Sequence, residues 1–189
     1  MKELVNEGKV RQCGVSNYAS WQILEIMNSA ESMGLRKLVV AQQLYNLLIR
    51  QLDLEYARFA ARYSLHTMVY NALAGGLLSG KHQPGGEIVP GSRFDGNKLY
   101  QRRFWTERFL ALTQSCKSVA ESEGMTLSRF AYAWLGSSPL VDSILIGPAT
   151  IAQLDEAIEA CTLKLSPEVC RRVDEIHIAF VGTDTSYAR

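Results

Sequence analysis

The sequence predicts an α/β protein with parallel strands, and three observations lead to this prediction. Four short runs rich in β-branched and apolar residues recur along the 189 residues. Longer amphipathic stretches with helical spacing separate these runs. Strands that alternate with helices are joined by crossover connections, which make the strands parallel. No linker or shift in composition divides the chain, so residues 1–189 are expected to form a single domain.

The first part of the chain contains three of the four strands. In order, the patterns predict a helix over 2–8, a strand over 10–16, a helix over 20–33, a strand over 38–41, a helix over 52–63 and a strand over 67–70. Ser20 is expected to cap the second helix. The inner face of that helix is expected to contain Trp21, Ile23, Leu24 and Met27. The core face of the next helix is expected to contain Leu54, Ala57, Phe59 and Ala61.

A loop-rich segment separates the third strand from the rest of the chain. Residues 74–102 contain seven glycines and two prolines. A long loop inside a compact domain usually serves a function. Beyond it the patterns predict helices over 106–123 and 128–135, a strand over 143–146, a helix over 151–160 capped by Thr150, a helix over 167–180 capped by Ser166, and a tail.

Four parallel strands suit two architectures. One is a small doubly wound sheet, and the other is half of an eight-stranded barrel, which takes about 250 residues when complete. Both place function at the carboxyl ends of the strands. Those ends carry Ser16-Asn17, Gln42-Gln43, Tyr70-Asn71 and residues 147–150.

Composition argues against several classes of protein. Apolar residues make up 47% and charged residues 21% of the chain, as in ordinary globular proteins. Lys plus Arg number 20 and Asp plus Glu 19, so no basic excess favours a nucleic-acid partner. No apolar run is long enough to span a membrane and no leader is recognised. Four dispersed cysteines favour reduced thiols in the cytoplasm, and no metal site is predicted.

Residues 75–82 come close to a phosphate-binding P-loop. They match the glycine and lysine spacing, but His82 stands where a serine or threonine should bind magnesium. Gln83-Pro84 follows where a helix should begin. The P-loop hypothesis is therefore weak, although a lysine and nearby backbone amides can still bind a phosphate.

The other strand ends suggest a crevice for an anion and a flat ring. Tyr70 offers an aromatic ring, whereas Ser16, Asn17 and Gln42 are polar groups at the ends of apolar strands. The turn at 147–150 precedes a helix start, which favours anions. These residues alone do not identify a reaction.

The chain resembles the aldo-keto reductases across nearly its whole length. The residues that carry the resemblance are EGKVR at 7–11, GVSNY at 14–18, Gln42, YN at 45–46, YNALAGGLLSGK at 70–81, IG at 146–147, QL at 153–154 and Glu156. SRFDGN at 92–97, Tyr100 and RFW at 103–105 are similar to the aflatoxin-aldehyde reductase subgroup, and the potassium-channel β subunits are related.

This resemblance implies the C-terminal half of a (β/α)8 barrel, strands five to eight, that binds NADPH or NADP+. Ser16, Asn17 and Gln42 would hold the nicotinamide carboxamide, and Tyr70 would stack on the ring. Asn71, Ala72, Leu73, Ala74 and Gly75 would line the pyrophosphate path. Lys81 and Arg93 would meet the 2′-phosphate and favour NADPH over NADH. Gly147, Ala149, Gln153 and Glu156 would bound the adenosine end.

Two positions depart from the family pattern. Ala157 replaces a common asparagine at the adenine, and Ala72 replaces a proline, so cofactor binding is expected to be looser. The resemblance also implies that the catalytic tyrosine and its aspartate, lysine and histidine partners precede this chain. No catalytic residue is therefore assigned in it.

Two functional hypotheses follow from the resemblance. The chain would be part of an NADPH-dependent reductase that converts aldehydes or ketones to alcohols, with a small carbonyl compound as substrate. Alternatively, it would be a truncated, non-catalytic half barrel that binds NADP(H) or a partner chain in a regulatory role. Open barrel edges would then favour self-association.

Overall fold

The computed structural model describes residues 1–35 and 40–182, which form four parallel strands in one sheet, with helices between them. The strands are β1 (Gly14–Ser16), β2 (Val40–Leu44), β3 (His66–Tyr70) and β4 (Ser143–Ile144). The predicted α/β class with four parallel strands is confirmed. Residues 38–39 of the second predicted strand and 183–189 of the predicted tail lie outside the described residues.

The strand order favours one of the two architectures. The strands pair in the order β1-β2-β3-β4, so each crossover advances to the next strand in the same direction. A doubly wound sheet reverses this direction at a switch point. Right-handed crossovers that all advance one way place the helices on a single face of the sheet. The sheet is therefore consistent with part of a (β/α)8 barrel.

Burial alternates along the central strands because only one face of the sheet is covered. Ala41 and Thr67 are paired neighbours in β2 and β3, and both are fully buried. Gln42 and Met68 are the next pair along, on the opposite face, and both are half-exposed. Tyr70 shares this second face, which we call the open face, at its carboxyl end.

Eight α-helices occur in the described residues. They are α1 (Lys2–Asn6), α2 (Ser20–Ser32), α3 (Tyr56–Tyr63), α4 (Lys98–Phe104), α5 (Glu107–Ser122), α6 (Leu127–Ser137), α7 (Ile151–Thr162) and α8 (Pro167–Val181). The two caps predicted near the end of the chain are confirmed. Thr150 accepts a hydrogen bond from the Gln153 N–H, and Ser166 accepts one from the Val169 N–H, each at 3.2 Å. Helix α6 packs against α7, and α5 packs against α8.

The predicted start and inner face of α2 are partly wrong. Ala19 is the capping residue, and Ser20 is buried inside the first turn, where its hydroxyl donates to Glu55 Oε2 at 2.7 Å. Trp21 is 62% exposed, because burial of Ser20, Ile23 and Met27 turns the helix so that Trp21 faces outwards.

Helix α3 also differs from its prediction. A 3₁₀ turn at Gln51–Asp53 interrupts the expected helix, and α3 starts at Tyr56. The Asp53 carboxylate holds this turn, since it accepts hydrogen bonds from Tyr45 and Arg50. The later start rotates the buried face to Tyr56, Phe59 and Ala60, and leaves Leu54 and Ala61 exposed.

The segment predicted as loop-rich contains a helix that the sequence pattern did not reveal. Helix α4 has seven residues, and the Asn97 side chain caps it by accepting from the Tyr100 N–H at 3.2 Å. Strands β1 and β4 are shorter than predicted, with three and two residues.

Candidate functional site

Polar and aromatic side chains converge at the carboxyl ends of β1, β2 and β3. The Tyr70 hydroxyl donates to Asn17 Oδ1 at 3.0 Å, and Asn17 Nδ2 donates to Ser16 Oγ at 3.2 Å. The Asn17 N–H donates to the Gln42 carbonyl at 3.0 Å. Parallel strands place their carboxyl ends at one edge, so four of the residues predicted from strand ends lie together.

The loop after β1 is held from the covered face of the sheet. Gln43 is buried there, and its Nε2 donates to the Tyr18 carbonyl at 2.9 Å. This bond fixes the loop just after Asn17, whose backbone has the left-handed φ of 60°. Asparagine adopts that conformation more readily than most residues. The Asn17 amide is therefore positioned toward Tyr70 by its own backbone and by a buried neighbour.

Asn71 fixes the loop after β3. Its Oδ1 accepts from the Gly75 N–H at 2.7 Å, and its carbonyl accepts from buried Asn46 Nδ2 at 3.0 Å. Asn71 and Ala74 both have left-handed φ angles, of 61° and 50°. For alanine this costs about 1 kcal/mol, and such strain is concentrated at functional sites. The backbone at 71–75 thus has a defined, curved path.

Gly75 allows an aromatic ring to approach this loop. A Cβ on Gly75 would lie 2.7 Å from the Tyr100 ring, so a larger residue there would displace Tyr100. The guanidinium of Arg93 lies over the Tyr100 ring, with its Cζ 5.4 Å from the ring centroid. Its Nη1 also donates to the Tyr100 hydroxyl at 3.4 Å. Tyr100 therefore links the glycine turn to the positive charge of Arg93.

The loop after β3, Arg93 and Tyr100 line an open cleft of about 360 Å³ at the carboxyl ends of β3 and β4. Its lining consists of Tyr70, Asn71, Ala72, Leu73, Gly75, Gly76, Arg93, Tyr100, Tyr132, Leu145, Ile146 and Gly147. Seven of these were predicted as site residues: Tyr70, Asn71, Ala72, Leu73, Gly75, Arg93 and Gly147. The lining combines loop backbone, one guanidinium and three tyrosine rings. Such a lining suits a ligand with a flat ring and anionic groups.

Eight residues predicted for the site do not line this cleft. They are Ser16, Asn17 and Gln42 at the strand ends, and Ala74, Lys81, Ala149, Gln153 and Glu156 elsewhere. Ala74 is fully buried beneath the loop, and Lys81 is exposed beyond it. At the start of α7, the Ala149 N–H donates to Gln153 Oε1 at 2.8 Å. Glu156 Oε1 accepts from Thr126 at 2.9 Å and from Ser128 at 3.1 Å, so this carboxylate joins α7 to the start of α6.

Five lining residues were not predicted for the site: Gly76, Tyr100, Tyr132, Leu145 and Ile146. Leu145 follows the last residue of β4 and is 43% exposed. Tyr132 lies within α6 and is only 7% exposed. The sequence offered one signal for Tyr132, which is a tyrosine within an otherwise apolar stretch of a buried helix. The hydroxyl of such a tyrosine usually has a hydrogen-bond partner.

The P-loop resemblance finds no support in the local structure. Residues 74–79 form short 3₁₀ turns that are interrupted by a kink at Gly75 and Gly76, where φ is positive. No helix begins between Ser79 and Lys98, a stretch that the structure describes in full. His82 is buried between the rings of Phe94 and Trp105, at 5.2 and 5.0 Å. It packs in the core rather than facing a ligand.

The described part of the chain contains neither a candidate metal centre nor a helix that could span a membrane. No group of three or more His, Cys, Asp or Glu side chains suited to a metal ion occurs in residues 1–35 and 40–182. Within the same residues, no helix has the length and apolarity needed to cross a bilayer.

Comparison with known proteins matches the model of the "Aldo/keto reductase family" over residues 1–178. The chain is similar to the uncharacterized oxidoreductase YrpG of Bacillus subtilis, with 32% identity over 91% of the chain and 50% of that protein. It is also similar to mouse aflatoxin B1 aldehyde reductase member 2, with 32% identity over 92% of the chain and 51% of that protein. Protein tas of Escherichia coli is 28% identical over 94% and 51%. The chain spans about half the length of the curated relatives it matches.

Proposed function

Because the chain belongs to the aldo/keto reductase family, we propose that it binds NADP(H) along the cleft described above and forms part of an enzyme that reduces aldehydes or ketones to alcohols. When bound, this cofactor supplies the hydride that such a reduction requires. The observation that carries the proposal is the hydrogen bond between Tyr70 and Asn17, which holds an aromatic ring at the strand ends.

The residues present fit such a dinucleotide. The Tyr70 ring offers a face to a nicotinamide, since its hydroxyl is already bound by Asn17 and the ring is thereby fixed. The Asn17 amide uses one lone pair for Tyr70 and one N–H for Ser16, so its second N–H would bind the carboxamide together with Ser16 and Gln42. Gln42 is well suited, because among the described residues its Nε2 donates to the weak acceptor Met68 Sδ alone, at 3.8 Å.

The loop over 71–76 would follow the pyrophosphate. The left-handed glycines Gly75 and Gly76 leave no side chain between this backbone and the cleft. Arg93 would supply a positive charge to the 2′-phosphate, as Lys81 would from further along the loop. A guanidinium suits a phosphate dianion, which NADPH carries at this position and NADH does not.

The adenosine end is proposed to lie at the β4–α7 turn. Gly147 lines the cleft there, whereas Ala149, Gln153 and Glu156 would hold the turn in place through their hydrogen bonds. Ala157 is buried and has no polar group to offer an adenine. This agrees with the expectation of looser binding at that end.

We assign no catalytic role to a residue of this chain. The complete enzyme would have its tyrosine, aspartate, lysine and histidine in polypeptide outside these 189 residues, and this chain would be the C-terminal half of the barrel. The substrate is proposed to be a small carbonyl compound. We place the enzyme in the cytoplasm, where the four cysteines, all free, would stay reduced.

Titration of the chain with reduced cofactors tests the proposal. NADPH is expected to bind, and to bind more tightly than NADH. Of the two cofactors, only NADPH carries the 2′-phosphate that Arg93 and Lys81 would bind. Isothermal titration calorimetry at low salt measures both affinities. Absence of NADPH binding, or equal affinity for the two cofactors, would contradict it.

A second candidate function is a non-catalytic half barrel that self-associates. It is favoured by the open face and by β1 and β4, each of which pairs with one neighbour in the described sheet. Exposed strand edges tend to pair with other chains. Size-exclusion chromatography with light scattering is expected to show a dimer or larger species, and a stable folded monomer would count against this candidate.

A further inference from the structure

Tyr132 is a nearly buried side chain in the cleft with an unused hydroxyl. Its relative exposure is 7%, and it lines the cleft together with residues of the loop at 71–76 and with Gly147. Its hydroxyl makes no hydrogen bond to the part of the chain that the structure describes. By contrast, the buried Tyr45 and Tyr56 hydroxyls bind Asp53 and Thr67. A hydroxyl that borders a cleft and has no protein partner is available to donate a hydrogen bond to a ligand.

The direction of α6 explains how Tyr132 reaches the cleft. Thr126, at the start of α6, and Ser128 bind Glu156 on the first turns of α7, so both helices begin at the same end of the sheet. Helix α7 begins shortly after β4 ends, which identifies this end as the carboxyl end of the strands. Side chains in a helix lean toward its N-terminus. The ring of Tyr132 therefore leans toward the cleft.

The surroundings keep this hydroxyl protonated. Burial raises the pKa of Tyr132 to about 12, and the neighbouring Cys161 and Glu156 act in the same direction. It is thus a hydrogen-bond donor throughout the physiological pH range. The acceptor oxygens of Glu156 do not use it, because that carboxylate accepts from Thr126 and Ser128.

We propose that the Tyr132 hydroxyl donates a hydrogen bond to a pyrophosphate oxygen of the bound dinucleotide, an inference that rests on the proposed function. The other two tyrosine hydroxyls of the lining are used within the protein, since Tyr70 donates to Asn17 and Tyr100 accepts from Arg93. Tyr132 shares the lining with Gly75 and Gly76, whose loop is proposed to follow the pyrophosphate. Its O–H is therefore available to the charged oxygens that join the two nucleotides.

The test uses the Tyr132→Phe variant and two ligands. NADPH contains the pyrophosphate, whereas 2′-AMP carries the adenosine and 2′-phosphate without it. Calorimetric titration is expected to show about tenfold weaker NADPH binding, the effect of losing a hydrogen bond to a charged oxygen. Binding of 2′-AMP is expected to stay within about twofold, because the lost bond is not made to it.

Tyr56→Phe provides the matched control. It removes a buried hydroxyl that binds Thr67 at 3.2 Å, away from the cleft. We expect it to lower the melting temperature without changing NADPH affinity. Tyr132→Phe is expected to leave the melting temperature of the free protein unchanged or higher, because its hydroxyl stabilises no contact there.

The outcomes separate the two proposals. Unchanged NADPH affinity in Tyr132→Phe would overturn the inference while leaving the proposed function standing. An equal loss for 2′-AMP would overturn the assignment to the pyrophosphate. If the wild-type chain bound no NADPH, the proposed function would fail first, and the inference with it.

Discussion

Replacing Arg50 with alanine is expected to lower the free energy of unfolding by about 3 kcal/mol, the cost of removing one partner from a largely buried ion pair. The Arg50 side chain is only 11% exposed. Its Nε donates to Asp53 Oδ2 at 2.7 Å, and its Nη1 lies 2.8 Å from Asp174 Oδ1. It joins the turn before α3 to helix α8, so its loss affects two distant parts of the chain.

The surroundings of Arg50 make the loss difficult to compensate. Its guanidinium lies over the Trp134 ring, 5.0 Å from the centroid, and Tyr45 donates to the same Asp53 carboxylate. Burial disfavours the charged guanidinium, yet Asp53 and Tyr45 outweigh it, and the pKa of Arg50 is raised. Asp53 and Asp174 remain partly open to water, which places the expected cost at the lower end of the range for buried pairs.

Arg171→Ala is the matched control for this prediction. Arg171 also pairs with two carboxylates, Glu168 and Glu175, but its side chain is 57% exposed. Exposed pairs contribute little to stability. Urea denaturation followed by circular dichroism compares the two variants. A loss in Arg50→Ala no greater than that in Arg171→Ala would show that this ion pair does not stabilise the fold.

The parts of the fold that could be predicted depend on local rules. The strand over 67–70 is rich in β-branched and aromatic residues, and the Thr150 and Ser166 caps require only residues within one turn. The rotation of α2 and α3 depends on contacts between distant residues. Ser20 binds Glu55, and Tyr45 with Arg50 holds Asp53. No periodicity within either helix contains that information.

The candidate site likewise contains features that simple rules predict and features that depend on contacts between distant residues. Convergence of Asn17 and Tyr70 follows from the rule that parallel strands end at one edge, so the residue types and their neighbourhood could be inferred. Tyr132 reaches the cleft from a helix that returns along the sheet, and its position depends on how α6 packs against α7. The close approach of Tyr100 to Gly75 likewise joins helix α4 to the kinked segment at 74–79. Such contacts exist only once the chain has folded.

Replacing Arg93 with alanine is expected to weaken NADPH binding about 30-fold at low salt and to leave NADH binding nearly unchanged. A guanidinium that binds a phosphate dianion contributes a charge-assisted hydrogen bond, which is stronger than one between neutral groups. Arg93 lines the cleft and is held over Tyr100, which reduces the entropy lost when it binds a ligand. Lys81 lies outside the lining, so Lys81→Ala is expected to have a smaller effect.

Comparing the two cofactors makes the Arg93 prediction specific, because they share every group except the 2′-phosphate. If Arg93 binds that phosphate, only NADPH affinity falls, and the difference shrinks as added salt screens the exposed charge. An equal loss for NADH would mean that Arg93 binds the pyrophosphate, and its assigned role would be wrong. Arg102→Ala on α4 removes an exposed cation outside the cleft lining and is expected to change neither affinity. A fall in the NADPH affinity of Arg102→Ala would show that the overall positive charge of the protein, rather than the position of Arg93 beside Tyr100, determines the preference for NADPH.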